Sequence, residues 1–562
     1  MANTSYDAII VGSGITGGWA AKELTEKGLN TLVLEAGRPI VPERDYVEHK
    51  PVWELKYRNW DNRAERERTQ KVQRQCDYAC DEYSHQFFVN DLENPYQTDP
   101  GKPFAWIRGR QVGGKSIIWG RQSYRWSDLD FEANARDGIA VDWPIRYADI
   151  APWYDYVEDF AGISGQAEGL PQLPDGKFLP PMEMTCVEID ARDAIKKHYG
   201  DERMITIGRS AVLTRTHKGR AACHYCGVCH RGCITQSYFS SLNSTLPAAQ
   251  KTGKLTIRPY SVVHSLVYDS KSRRVTGVRV VDGQTKNNME FKGRIVFLCA
   301  ATLESARILL NSATPEFPNG LANSSGELGH NLMDHHMGSG ASGNMPGHEE
   351  KTTFGNRPNG IYIPRYRNVK TKHKDFIRGY GYQGGGGREG WSRGYSMSGI
   401  GVEFKKMLKS PGPWGMSLGG FGESLPDHNN YVEINKDLVD AWGIPTLKIH
   451  YQWTPNELAM SKDIAVQAAE MLAAVGAHNI QVDQNITPPG LAIHEMGTAR
   501  MGRDPKTSVL NEHNQAHDAK NLFVTDGSCM TSASCVNPSL TYMALTARAC
   551  DFAVSQMKKN EL

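Results

Sequence analysis

At 562 residues the chain exceeds what one hydrophobic core usually serves, so at least two domains or sub-domains are expected. Its 64 basic and 62 acidic residues leave a formal charge of only +2, which gives nucleic acid or an anionic membrane no electrostatic hold. No window holds the roughly 18 to 20 uncharged apolar residues of a membrane span, and the opening Met1 to Asp7 lacks the basic and apolar regions of a secretory signal.

Taken in order, Tyr6 to Val11 reads as an apolar strand running into Gly12-Ser13-Gly14-Ile15-Thr16-Gly17, followed by a helix over Trp19 to Glu26. A second apolar strand, Thr31 to Leu34, ends on Glu35 and Ala36. The glycines permit a tight turn and close approach of a pyrophosphate, the helix start supplies N–H donors, and the acid can accept a ribose hydroxyl's hydrogen bond. Glu35 suits an adenosine with a free 2'-hydroxyl, hence FAD or NAD and not NADP. A chance glycine turn in a βαβ unit is the alternative.

Residues 45 to 104 are charged, aromatic and irregular, with Arg63 to Arg74 as a solvated helix and Cys76 and Cys80 as packed or free thiols. A second glycine-rich turn follows, with Arg110, Val112, Gly113, Gly114, Ser116 and Trp119 as its candidate binding positions. One nucleotide fold does not need two such turns, whereas a cofactor with an extended second half does.

At this loop the chain resembles the glucose-methanol-choline (GMC) flavoprotein oxidoreductases. The resemblance continues through Asp142-Trp-Pro-Ile-Arg-Tyr-Ala-Asp149, Gly326-Glu-Leu-Gly-His-Asn-Leu-Met-Asp334 and the C-terminal block. It implies FAD clamped between the two glycine turns, with Val263 beside the adenine. An ordinary core valine is the competing reading of Val263. Pyranose-oxidase-like members link the flavin through a histidine just before the loop tryptophan; Ile118 stands there, so FAD is expected to bind non-covalently.

Cys223-His-Tyr-Cys226-Gly-Val-Cys229-His-Arg-Gly-Cys233 has the C-x2-C-x2-C-x3-C spacing of a bacterial ferredoxin run, with Ile234 where proline would follow. An iron–sulfur cluster is the favoured reading, against structural zinc or packed thiols. Four ligands would hold a four-iron cluster and three a three-iron cluster. The resembling sugar dehydrogenases suggest the three-iron form, and carry over the region and not each ligand.

Leu255 to Arg258, Val262 to Tyr268, Gly277 to Asp282 and Met289 to Phe291 alternate as short strands, read as a three-stranded β-meander laid on the nucleotide sheet. Arg294 to Ala301 is a buried strand feeding a helix over Thr302 to Asn311. Gly379 to Gly387 suggests a mobile loop, Asn430 to Asn435 and Thr446 to His450 antiparallel strands, and Asn456 to Val475 a long amphipathic helix. Tyr382, Gln383, Glu423 and His428 could bind sugar hydroxyls but are too ordinary to be named as sites.

The C-terminal block holds His494, Asp526-Gly527 and Asn537-Pro538 in the order and approximate spacing of the family motif. Oxidising an alcohol at a flavin removes a hydroxyl proton while hydride leaves the same carbon, so a base must reach that oxygen. By resemblance His494 is that base and Asn537 its partner, and a carboxamide can donate to the developing alkoxide. Pro538 and the run from Leu540 start a helix whose N-terminus is expected at the flavin pyrimidine. His513 and His517 are taken as structural.

The resemblance implies an α/β fold with a Rossmann-like FAD-binding domain and β-meander, plus an α+β substrate domain with an antiparallel sheet. The former is assigned 1–45, 105–160, 205–335 and 485–562, and the latter 46–104, 161–204 and 336–484. The first functional expectation is a sugar or glycoside dehydrogenase, nearest in character to glucoside-3-dehydrogenase large subunits. Its electrons would pass through the cluster to an acceptor such as cytochrome c, with a small accessory subunit bearing the export signal. That places the chain in the periplasm or at a membrane through its partner, although cytoplasmic residence fits the sequence equally. The alternatives are an oxygen-using sugar oxidase with a zinc knuckle, and a non-catalytic electron-transfer subunit.

Overall fold

The computed structural model describes residues 5–562; the first four residues of the opening stretch considered above lie outside them. The main sheet has seven strands, ordered Leu255–Arg258, Thr31–Leu34, Ser5–Val11, Asn288–Leu298, Arg274–Asp282 and Ser261–Asp269, with Leu522–Val524 also pairing with Asn288–Leu298. The expected βαβ unit forms as read: Ser5–Val11 lies parallel to Thr31–Leu34, and helix Ile15–Glu26 joins them. That helix packs against the C-terminal helix Ser539–Lys558.

The meander is not a separate layer. Met289 to Phe291 and Arg294 to Leu298, read as two strands, form one eleven-residue strand. Its first part pairs antiparallel with Arg274–Asp282 and its later part parallel with Ser5–Val11. Charged residues at Glu290, Lys292 and Arg294 break the hydrophobic pattern along this strand without breaking the backbone ladder. Leu255–Arg258 likewise leaves the meander and forms the parallel edge beside Thr31–Leu34.

A six-stranded antiparallel sheet runs His478–Asp483, Gly340–Met345, Trp414–Gly422, Tyr380–Arg388, Ile361–Ile363 and Thr206–Ile207. Helix Pro455–Ala474 is started by a capping box between Thr454 and Glu457, a device that satisfies orphan N–H groups at both positions. It buries Met460, Ile464, Ala468 and Met471 against Tyr380, Tyr382, Trp414 and Leu418 of the sheet. Helix Cys186–Tyr199 adds Val187, Ala191 and Ile195 to the same cluster. A third sheet of Tyr431–Val439, Pro445–His450 and Gln97–Thr98 includes the antiparallel pair expected there.

The glycine-rich stretch expected to be a mobile loop is the strand Tyr380–Arg388, paired along its length with Trp414–Gly422. Close packing explains the composition: a Cβ on Gly384 would lie 2.1 Å from the backbone oxygen of Ser417, and one on Gly360 would lie 1.8 Å from that of Gly384. Gly387, by contrast, has open space around it. Of the solvated helix expected over Arg63 to Arg74, Arg63–Thr69 is helical and a 3-10 turn follows at Gln73–Gln75. Cys76 and Cys80 are buried free thiols packed with Ile40, Tyr46 and Phe87.

Gly384→Ala is expected to destabilise the protein by about 2 kcal/mol or more, and Gly387→Ala to stay within about 0.5 kcal/mol. Thermal melts of the two variants read the contrast; equal melting shifts would show that the packing at Gly384 is not what demands glycine.

Candidate active site

The parallel strands Ser5–Val11 and Thr31–Leu34 end at an elongated cavity of about 480 Å³. It is lined by Val11 to Thr16, Glu35, Ala36 and Val263, by Arg110, Gly114, Ser116 and Trp119, and by His494 and Asn537. Asp526 and Gly527 also line it. Two glycine turns distant in sequence and a C-terminal pair of polar side chains thus share one space.

Gly14 caps helix Ile15–Glu26 without any side-chain hydrogen bond to the helix's leading N–H groups. A Cβ on Gly14 would meet no atom of the chain. Packing therefore does not require a glycine here, and the open space before an uncapped helix N-terminus is the form of an anion site. Ser13 donates from its backbone N (3.1 Å) and Oγ (2.6 Å) to Glu35 Oε2, while Gly37 N donates to Glu35 Oε1 at 2.9 Å. Glu35 thereby ties the glycine turn to the end of the second strand, and its burial raises the carboxyl's pKa above the ordinary range.

Gly113 N donates to Ser13 Oγ at 3.0 Å, and Ser116 Oγ donates to the Gly113 carbonyl at 2.6 Å. The two glycine turns are thus bonded directly to each other, with the side chains of Ser13 and Ser116 spent on that junction. Val112 faces the apolar cluster behind the sheet, and neither it, Gly113 nor Pro538 is among the residues that wall the cavity. Pro538 directly precedes helix Ser539–Lys558. Arg110 bonds to Asn94 and stacks 4.2 Å from the ring of Trp442. Asp526 is fixed by Ser305 and Ser528. A long cavity with an open phosphate position fits FAD, and Ile118, which also lines it, offers no nucleophile for a covalent link.

The loop carrying His494 is pinned by Asp334, whose Oδ1 accepts from His494 N (3.0 Å) and whose Oδ2 accepts from Gly490 N (2.8 Å). These bonds bracket Ile493, a β-branched residue held at φ 62°, a strained conformation that surrounding contacts must enforce. Burial and the neighbouring Glu495 push the Asp334 carboxyl up to about 7. Asn537 Nδ2 lies 3.3 Å from His494 Nε2, and Gln383 Nε2 donates to Asn537 Oδ1 at 2.8 Å. His335 Nδ1 lies 3.0 Å from His494 Nδ1. Desolvation, then the proximity of His335 and Lys115, holds the His494 pKa well below its ordinary value. The ring is consequently neutral near pH 7 and can accept a proton through one nitrogen.

The cysteine run lies in one loop beside a small apolar cluster. Cys229 is buried and Cys223 and Cys233 are half-buried near Met182, Val212 and Tyr238, but Cys226 is exposed. Among the described residues no three His, Cys, Asp or Glu side chains are grouped to hold a metal ion. The loop turns through positive φ at Tyr225, Gly227 and Gly232, and burial, with the nearby Cys229, Cys226 and Cys233, pushes the Cys223 thiol up to about 11.

Two of the residues considered for sugar binding are interior: Tyr382 donates to the Ile464 carbonyl, and Glu423 pairs with Arg378. His428 stacks on His330 away from the cavity, whereas Gln383 does line it. His513 stacks on Phe552 and His517 bonds to Ser508, consistent with structural roles. Sequence reasoning missed Asp334 and His335 as members of the site, although Asp334 ended a motif segment it had singled out. It also missed Phe421 and Lys115, which line the cavity and carry no local pattern.

The curated relatives include a 2-methyl-1,2-propanediol dehydrogenase of Mycolicibacterium austroafricanum, 28% identical over 97% of this chain and 94% of the relative. The fructose dehydrogenase large subunit of Gluconobacter japonicus is also 28% identical, over 99% of both chains. Among solved structures, pyridoxine 4-oxidase from Mesorbium loti superposes with a TM-score of 0.58 at 18% identity, covering 97% of this chain and 98% of that one, a likeness of fold. Family models described as GMC oxidoreductase match residues 6–337 and 426–546, which together span most of the sequence. The chain therefore belongs to the GMC oxidoreductases, a membership that implies FAD as its cofactor.

Proposed function

We propose that the chain oxidises a CH–OH group of a sugar or glycoside, with His494 taking the hydroxyl proton and Asn537 holding the developing alkoxide oxygen. The observation that carries this reading is the His494–Asn537 pair, 3.3 Å apart on the wall of the same cavity that begins at the Gly14 turn. FAD, when bound, supplies the hydride acceptor. Neutral His494 presents a lone pair to the hydroxyl proton, and the Asn537 amide can donate to the oxygen without competing for that proton. Phe421 and the antiparallel sheet beside it limit water here.

Gly12 to Thr16, Glu35 and Ala36 are proposed to hold the adenosine and pyrophosphate, with Val263 against the adenine. Arg110, Gly114, Trp119 and Asp526-Gly527 would hold the remainder, supported from behind by Ser116, Val112 and Gly113. The division into a discontinuous FAD-binding domain and a substrate domain remains part of the proposal, since strands from both assigned sets meet in single sheets. Thr206–Ile207 joins the antiparallel sheet although 205–335 was assigned to FAD binding.

The relatives' names include 2-methyl-1,2-propanediol, fructose and 6'''-hydroxyparomomycin C, which supports the substrate class. Within it, C3 oxidation of a glycoside is the narrower reading that a short-range relative named C-glycoside 3-oxidase supports. The fructose dehydrogenase relative is named a large subunit, and on that ground we infer an accessory subunit and an external acceptor such as a cytochrome c. Among the described residues no helix is long and apolar enough to cross a membrane. An iron–sulfur cluster on Cys223, Cys226, Cys229 and Cys233, three-iron by preference, is the narrower reading that their spacing supports as the relay; stoichiometric iron and acid-labile sulfide in the purified protein test it.

His494→Ala is expected to slow anaerobic sugar-dependent flavin reduction by about 10² to 10⁴-fold; an unchanged rate would remove His494 as the base. Because its pKa lies well below the ordinary 6.5, the unprotonated base persists as pH falls, and kcat/KM should hold through pH 6.5 and decline only at lower pH. A decline centred at 6.5 would contradict the desolvated site. A panel of glucosides, glucose, fructose and diols, with NMR of each product, distinguishes a ring ketone at C3 from a lactone or a side-chain carbonyl.

A further inference from the structure

We infer that His335 is a positioning residue that sets the tautomer of His494, so that His494 Nε2 enters the reaction as the unprotonated nitrogen. The inference rests on the proposed role of His494 as base and names the device that makes one ring nitrogen available.

The chain of bonds begins at a group with no ambiguity. The Ala533 backbone carbonyl can only accept, and His335 Nε2 lies 3.2 Å from it, so that nitrogen carries hydrogen. His335 is buried and its pKa is lowered to about 4, the cost of desolvating a charge, so the ring is neutral and Nδ1 is a bare acceptor. His494 Nδ1 lies 3.0 Å from that acceptor and must bring the hydrogen of the contact. A neutral ring protonated at Nδ1 leaves a lone pair on Nε2.

The opposite end gives the same polarity. Gln383 Nε2 donates to Asn537 Oδ1 at 2.8 Å, which turns Asn537 Nδ2, a donor, toward His494 Nε2 at 3.3 Å. From Gln383 to Ala533 every donor therefore points the same way. Reversing His494 would place two N–H groups head to head at Asn537 and two lone pairs head to head at His335. Each such clash leaves a desolvated polar group unpaired. When the substrate hydroxyl gives its proton to Nε2, the Nδ1–H bond to His335 is kept, and the Asn537 amide hydrogen that faced Nε2 turns to the developing alkoxide oxygen. The tautomer-setting carboxylate of serine-protease triads acts by the same logic, and its loss costs about 10⁴ in kcat.

The test uses the full-length holoenzyme labelled with 15N-histidine, with the His494 resonances assigned by their loss in His494→Gln. The expected spectrum has a pyridine-like Nε2 and a pyrrole-like Nδ1 for His494. His335→Asn, whose carboxamide oxygen can accept in place of Nδ1, should keep that pattern. His335→Phe should mix the tautomers and lower kcat by about 10²-fold or more, with KM changed less than about threefold. A pyrrole-like Nε2 in the unsubstituted protein overturns the inference without recourse to any variant. A folded His335→Phe protein with unchanged kcat and spectrum overturns it as well. Flavin reduction unaffected by His494→Gln would instead remove the base assignment, whatever tautomer the spectrum shows.

Discussion

The site depends on one buried carboxyl group. Asp334, near the middle of the chain, accepts hydrogen bonds from the backbone of Gly490 and of His494 and so fastens the C-terminal loop at the cavity. Without it the loop at Ile493, held at φ 62°, would relax, and His494 would lose its place relative to Asn537. A carboxyl in such a position is costly to ionise, and Asp334 reflects this with a pKa near 7. The loop thus draws its definition from two directional bonds and the apolar packing of Met333 and Met496 in the main core.

Around that anchor the protein assembles neutral groups. His335 and His336 are held to about 4 and about 3 by burial, and His494 is lowered by the same cause. Imidazoles lowered in this way leave His494 unprotonated near neutral pH and able to accept a proton. Lys115, tethered to the Ile107 carbonyl and 3.6 Å from Glu495, supplies the nearest permanent charge and helps to keep His494 unprotonated.

The nucleotide end is held differently, by interlocking loops. Ser13 connects Glu35 with Gly113, so the first glycine turn, the end of the second strand and the second glycine turn form one hydrogen-bonded unit. Several side chains that a motif would assign to ligand contact are occupied in this junction. Their contribution is to keep the Gly14 backbone open, since polar groups already paired inside the protein do not need to be desolvated again on binding.

Much of this was legible in the residues themselves. The strand, glycine turn and helix from Tyr6 to Glu26 and the helix from Asn456 follow from local periodicity and turn chemistry, whereas His494 and Asn537 were found through resemblance to the family motif. Local patterns could not show that Met289 to Leu298 is one strand, or that the glycines at 384 to 386 pack a sheet. Both outcomes are decided by partners far along the chain: Ser417 beside Gly384, and the paired strands flanking residue 292. The amino-acid order by itself determined which chemistry the chain can hold, because residue type and short-range spacing set that. Only the tertiary structure decided which groups surround the two nitrogens of His494, because His335 and Asn537, with Ala533 and Gln383 behind them, come from distant parts of the chain.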